Sequence, residues 1–206
     1  MALDRQRIGS GISAMPNRAI FLDRDGVLND LIYYPDFGED ESPRTAADLR
    51  LIGGALAAVA ELQAQGWQLF LVSNQPSYAK GKTTLADLKA VHAALEDSLK
   101  LYQITLTAAY YAYTHPKGIV PEYTGESVYR KPNAGFLLEA ARDYDLDLAS
   151  CWMVGDRDSD IACGQRAGTH TALIRYPLSR THWGKAAPEL DCTNLAHFVE
   201  RLSVQP

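Results

Sequence analysis

Cysteine is scarce in this 206-residue chain: Cys151, Cys163 and Cys192 are odd in number and far apart. That excludes a disulfide framework and points to a reducing setting, hence the cytoplasm. No run of eighteen apolar residues occurs, which excludes a membrane-spanning helix. Nor is there a block of Lys or Arg: 20 basic residues face 25 acidic ones, for a net charge of −5, and general nucleic-acid binding is excluded. The N-terminus carries Asp4, Arg5 and Arg7 and then Gly9-Ser10-Gly11, without the apolar core of a secretory signal. Residues 1–16 are expected to be a flexible tail and 17–206 a single domain. The remaining composition, 47% apolar and 22% charged, is that of a soluble globular protein.

Against that background one segment stands out. Asp23-Arg24-Asp25-Gly26-Val27 follows the apolar run Ala19-Ile20-Phe21-Leu22 directly, so two carboxylates sit where a buried strand opens into a loop. Alternation puts Asp23 and Asp25 on nearly one side and points Arg24 away. Two acids held together repel unless a cation or a shared proton relieves them. A magnesium site with a reactive carboxylate answers that requirement. A calcium loop does not. An EF-hand beginning at Asp23 needs glycine sixth and glutamate twelfth, and the chain has Leu28 and Tyr34 there. The second acidic run, Asp156 to Asp160, has Ile161 and Ala167 at those positions and fails in the same way.

Periodicity sets out the remaining elements. An irregular stretch spans roughly 29–50; then Ile52, Ala55, Leu56, Val59 and Leu62 recur at helical spacing. Leu69–Val72 reads as a strand buried on both faces, and Thr84 with Asp87 as a capping box for a helix with the stripe Leu85, Leu88, Val91, Leu95 and Leu99. A third strand is expected near Leu106–Tyr113, and a helix opening at Pro132. Cys151–Val154 and Thr171–Ile174 read as strands flanking a helix over Asp158–Ala167, and a last helix runs over Leu195–Leu202. Strand and helix in alternation predict an α/β fold with a doubly wound parallel sheet.

Four strand ends carry polar residues suited to phosphoryl transfer: Asp23 with Asp25, Ser73-Asn74-Gln75, Arg130-Lys131-Pro132 at a helix start, and Gly155-Asp156 with Asp160. In this order they resemble the motifs of the haloacid dehalogenase superfamily of phosphohydrolases, over about Ala19 to Ile174. The resemblance implies a Rossmann-like domain and a Mg²⁺ ion bound by Asp23, the Asp25 carbonyl and Asp156. It implies Asp23 as nucleophile, Asp25 as acid and base, and Ser73, Asn74 and Lys131 as phosphoryl-oxygen contacts. Asp160 is assigned either to orienting Lys131 or a metal-bound water, or to a solvated helix start.

Only fifty residues separate Asp23 from Ser73, and twenty-five separate Lys131 from Asp156. Neither interval holds a large cap domain. Asp23–Asn29, Asn74-Gln75 and Arg130-Lys131-Pro132 are similar to the branch containing heptose bisphosphate 7-phosphatases and histidinol-phosphate phosphatases, and Ala79-Lys80-Gly81 tilts the choice to heptose. A bisphosphate needs a second anion site, for which Arg130, Lys80 and Lys82 are available; surface solvation is the alternative for each. The branch usually carries a zinc loop with four Cys and His ligands. Here Tyr113-Thr114-His115 and Ser127-Val128-Tyr129 occupy those places, so no structural zinc is expected. Packing of Pro116, Ile119, Val120, Pro121 and Tyr123 is expected to hold that loop instead. Tyr33 and Tyr34 are candidates for a flap touching substrate, whereas Trp183 with Tyr176 and Pro177 is expected at the sheet edge. The partner implied is a small phosphorylated sugar, with neither nucleic acid nor membrane, and the protein a monomer or small homo-oligomer. A non-catalytic scaffold on the same fold is the rival of another class.

Overall fold

The computed structural model describes residues 17–204; the expected tail over 1–16 lies outside the described residues. In chain order the elements are β1 (Ala19–Leu22), β2 (Ile32–Tyr34), β3 (Glu39–Glu41), α1 (Ala55–Ala64), β4 (Gln68–Asn74), α2 (Leu85–Leu101), β5 (Ala108–Ala112), α3 (Gly135–Tyr144), β6 (Trp152–Gly155), α4 (Asp158–Ala167), β7 (His170–Ile174), β8 (Leu190–Cys192) and α5 (Leu195–Ser203). Six strands form one sheet in the order β5-β4-β1-β6-β7-β8, and all five pairings are parallel.

Alternation along the strands builds two cores. Ile20, Leu22, Leu69, Leu71, Trp152 and Val154 face Leu56, Val59 and Leu62 of α1, Leu95 and Leu99 of α2 and Phe198 of α5. Phe21, Phe70, Val72 and Met153 face Leu137 and Ala140 of α3 and Cys163 and Ala167 of α4. Helices on both faces make the sheet doubly wound, as the alternation of elements predicts. The chain proceeds outward from β1 through β4 and β5, then returns to β6 on the other side of β1. That reversal opens a crevice at the carboxyl ends of β1 and β6, the place where open α/β sheets bind ligands.

Several expectations need correction. The stretch over 29–50 contains the antiparallel hairpin β2–β3, with Ile32 opposite Glu41 and Tyr34 opposite Glu39. Its strands are three residues each and carry charge, too short for a periodic signal. Helix α1 begins at Ala55, after Gly54 in a left-handed conformation (φ 80°). Helix α3 begins at Gly135, because residues 130–133 form a turn closed by the Asn133 amide donating to the Arg130 carbonyl (2.8 Å). Strand β8 extends the sheet edge although only three residues long. Among the described residues no inserted segment forms a cap domain, and none of the helices is long and apolar enough to cross a membrane.

Helix α4 packs so closely on the sheet that a Cβ added at Gly164 lies 2.7 Å from both Met153 Cβ and Thr171 Cγ2. Gly164→Ala is therefore expected to destabilise the fold by about 1–3 kcal/mol through overpacking, read as a lower urea midpoint at unchanged slope.

Candidate active site

The loop after β1 is shaped to bring acids together. The Asp23 amide donates to the Val154 carbonyl (2.9 Å), continuing the β1–β6 ladder by one residue. Gly26 then takes φ 79°, and a Cβ there would lie 2.4 Å from Asp156 Oδ2. Only glycine meets both conditions, the left-handed backbone and the close approach. Similarly, a Cβ on Gly155 would lie 2.2 Å from Asp160 Cβ. Two glycines thus let the ends of β1 and β6 crowd their carboxylates. Oxygens of Asp23, Asp156 and Asp160 lie within 4.8 Å of one another, all three residues buried.

Lys131 offsets this charge. Its Nζ lies 2.9 Å from Asp23 Oδ1 and 2.7 Å from Asp160 Oδ1, and donates to the Val72 carbonyl (2.8 Å). Two ion pairs and one hydrogen bond thus fix the ammonium, and against the cost of burial the two carboxylates hold its pKa above the ordinary lysine value. Asp160 Oδ2 accepts from the Arg157 amide (3.0 Å), so Asp160 caps α4 and aims Lys131 at once. Of the two sequence readings of Asp160, the geometry matches the one that orients Lys131. Asn74 clamps the backbone of Lys131 from the other side: Oδ1 accepts its amide and Nδ2 donates to its carbonyl, both at 3.0 Å.

Asp25 is the best-supplied carboxylate. Oδ1 accepts from Asn29 (2.9 Å) and Arg24 Nη2 (3.0 Å), while Oδ2 accepts from Gln75 (2.6 Å) and Ser42 (2.8 Å). Burial opposes its charge, but Arg24 and these donors hold the carboxyl below its ordinary value. Arg24 corrects the sequence reading. Its guanidinium does not stay away from the acid pair but, wholly buried, folds back to bond Asp25. Gln75 also donates to Ser73 Oγ (3.0 Å), which ties the end of β4 to Asp25.

Asp23 and Asp156 are placed in the opposite regime. Burial pushes Asp23 up to about 6, partly countered by Lys131. Burial and the neighbouring carboxylates raise Asp156 well above the usual range. Ser179 Oγ donates to Asp156 Oδ2, and Asp156 Oδ1 is buried without a hydrogen-bond partner. Trp183 Nε1 donates to the Asp156 carbonyl (2.7 Å). The indole thus ties the segment after β7 to the loop after β6, while its ring packs on Arg175, which pairs with Asp191 of the edge strand β8. Ser42, Ser179 and Trp183 escaped the sequence reading because each reaches the site from an irregular segment without a local pattern.

Asp23, Asp25, Ser42, Asn74, Lys131 and Asp160 line a cleft of about 950 Å³, whose lining also includes Lys80 and Arg130 and, from the hairpin, Glu39, Asp40 and Glu41. The hairpin meets the cleft through these acids and not through its tyrosines. Tyr33 is exposed, and the Tyr34 hydroxyl accepts from the Arg44 amide (2.9 Å) and donates to Asp48 (3.0 Å), pinning the hairpin base. Lys82 pairs with Glu39 (3.1 Å) and Glu41 (2.5 Å), so it serves the hairpin. Where the zinc loop was expected to be held by packing, Tyr123 stacks edge-on against Tyr78 (4.9 Å) and Tyr113 (6.5 Å). The amides of Ile119 and Val120 both donate to the Ala79 carbonyl (2.7 and 3.2 Å). Ile119 itself is exposed. His115 Nδ1 accepts from the Lys117 amide (3.0 Å) within its own loop.

Residues 128–198 match the HAD-hydrolase-like family model. The chain is 38% identical to the D-glycero-D-manno-heptose-1,7-bisphosphate 7-phosphatase of Thermosynechococcus vestitus, over 90% of this chain and 95% of that protein. The chain belongs to this family of haloacid-dehalogenase-like phosphatases. It is 35% identical to the D-glycero-beta-D-manno-heptose-1,7-bisphosphate 7-phosphatase of Escherichia coli K12, over 91% and 94% of the two chains. Its fold superposes with a TM-score of 0.76 on the D,D-heptose 1,7-bisphosphate phosphatase of B. bronchiseptica complexed with magnesium and phosphate, 28% identical over 90% of this chain and 98% of that one. Family membership and fold both agree with the expectation from the four motifs.

The raised Asp23 carboxyl has a consequence for stability. Its folded value of about 6 exceeds the ordinary 3.8, so between those values the native state holds the proton more tightly than the unfolded chain, and stability falls as pH rises. In the presence of EDTA, Asp23→Asn is expected to stabilise the protein by about 1–3 kcal/mol at pH 7.5 and by nothing at pH 3.5. Urea unfolding at the two pH values checks it.

Proposed function

We propose that the protein is a Mg²⁺-dependent phosphatase that removes the 7-phosphate of D-glycero-D-manno-heptose 1,7-bisphosphate through an aspartyl-phosphate on Asp23. The observation that carries the reading is the floor of the cleft, where an Asp23 oxygen lies beside Asp156 and the Lys131 ammonium, in a chain of this family. The donor set suits a hard divalent ion: buried carboxylate oxygens at the carboxyl ends of two strands, with Asp156 Oδ1 lacking any partner. Asp23, the Asp25 carbonyl and Asp156 would hold Mg²⁺, which supplies charge neutralisation for an anionic nucleophile meeting an anionic phosphate.

The residues divide the remaining work. An Asp23 oxygen attacks phosphorus in line with the leaving sugar oxygen, forming one P–O bond as the other breaks. Lys131 and Ser73 neutralise the equatorial oxygens, the charge that most needs stabilising in such a transition state. Asp25 rests as the anion, and an arriving phosphate raises its proton affinity through like-charge repulsion. It thereby takes up a proton from solvent as the substrate binds, gives that proton to the leaving alkoxide, and then takes one from the water that hydrolyses the aspartyl-phosphate. Asp160 keeps Lys131 aimed, and Arg130 and Lys80 at the rim meet the phosphate that is not cleaved. Such an enzyme serves nucleotide-heptose supply for surface polysaccharide in the cytoplasm.

Phosphate release from both anomers of heptose 1,7-bisphosphate, and from histidinol phosphate, tests the reading. One heptose anomer is expected to dominate, EDTA to abolish turnover and Mg²⁺ to restore it. Asp23→Asn is expected to lower kcat by at least about 10³-fold. Preference for histidinol phosphate moves the substrate assignment, and activity surviving in Asp23→Asn removes the nucleophile assignment. Lys131→Met leaves Asp23 and Asp160 facing each other without a counter-charge, so activity is lost and the fold weakened by about 3–5 kcal/mol, read by urea unfolding.

A further inference from the structure

The segment from Pro177 to Ala186 is joined to the site on its inner side. Ser179, fully buried, donates to Asp156 Oδ2, and the Trp183 indole donates to the Asp156 carbonyl. The Asp158 carboxylate accepts from the amides of Lys185 (2.9 Å) and Ala186 (3.2 Å). Four bonds to the loop and helix start after β6 thus fix a stretch whose only regular structure is the short 3-10 turn Pro177–His182. Its outer side lines the same cleft as the reactive carboxylates, through Thr181, His182 and Lys185. Both His182 and Lys185 are solvent-exposed, and Asp158, which lines the same cleft, is engaged with backbone amides.

The rim of the cleft is electrically one-sided. Arg130, Arg157, Lys185 and the His182 imidazole all line the cleft and together make up a basic arc on its rim. The hairpin wall presents Glu39, Asp40 and Glu41, of which Lys82 offsets two. A dianion at the non-reacting end of a substrate is repelled from the hairpin and drawn to the arc. With no cap domain to close the site, this rigid wall is well placed to read that end.

We propose that the Pro177–Ala186 segment is the specificity wall of the cleft, with His182 and Lys185 contacting the uncleaved phosphate of a sugar bisphosphate alongside Arg130. The inference rests on the bisphosphatase reading and adds to it a second set of contacts, outside the motifs that carry the chemistry. His182 donates through its ring N–H, and Lys185 acts as a point charge. Both side chains reach the cleft from a backbone already held by Asp156 and Asp158, so little ordering is needed on binding.

The test is the ratio of kcat/KM for heptose 1,7-bisphosphate to kcat/KM for heptose 7-phosphate, in Mg²⁺-loaded protein of full length. Lys185→Glu and the double variant His182→Ala/Lys185→Ala are each expected to lower that ratio about tenfold, through KM for the bisphosphate more than through kcat. The monophosphate arm registers any damage to the fold, since such damage lowers both terms. A ratio that is high in the parent and unmoved in both variants overturns the wall and leaves the bisphosphatase reading standing. A parent with no preference for the bisphosphate overturns both.

Discussion

One buried ammonium holds this site together. Lys131 sits between Asp23 and Asp160 with its third donor on the Val72 carbonyl. Without it, the largely buried carboxylates gathered at the ends of β1 and β6 repel one another with little water to screen them. Buried charges persist when paired and hydrogen-bonded on every side, and here even the supports are supported. Asn74 grips the lysine backbone, and Asp160 is fixed by the start of α4. The lysine thus couples β4, β1 and α4 through a single atom.

The two acids of the Asp23–Asp25 pair are separated by environment. Asp25 has four neighbouring side chains donating to it and stays charged, whereas Asp23 and Asp156 are desolvated and under-supplied. Groups pushed apart in this way, one toward the proton and one away from it, are the usual mark of distinct chemical roles. The unpartnered Asp156 oxygen is costly in isolation, a cost that a divalent ion held there would remove.

An open cleft leaves selectivity to its walls. One is the acidic hairpin and one the segment after β7. Beside them, aromatic edge contacts among Tyr78, Tyr113 and Tyr123 hold the 114–129 loop by packing. The walls are built from non-local contacts, which frees their sequences from the constraints that the motifs obey.

The division between what was legible and what was not follows range. Alternation along β1, the apolar run of β4 and the stripe of α2 are local, and each predicted its element correctly. Asp23, Asp25, Ser73, Lys131 and Asp156 were recognisable because strand ends carry ligand sites and the residues follow strands directly. Helix starts were read less well: α3 begins three residues after Pro132, because the clamp from Asn74 on a distant strand governs that turn. Arg24 was misread since alternation ignores a side chain long enough to fold back onto its neighbour's carboxylate. Ser42, Ser179 and Trp183 touch the site from segments with no period and no motif, so no local rule finds them. By itself the sequence determined the alternation of the main strands and helices and the strand ends where acids gather, both consequences of short-range patterns. Only the tertiary structure decided which of those acids are desolvated, how the 114–129 loop is held and what lines the cleft, because these depend on burial and on contacts between residues far apart in the chain.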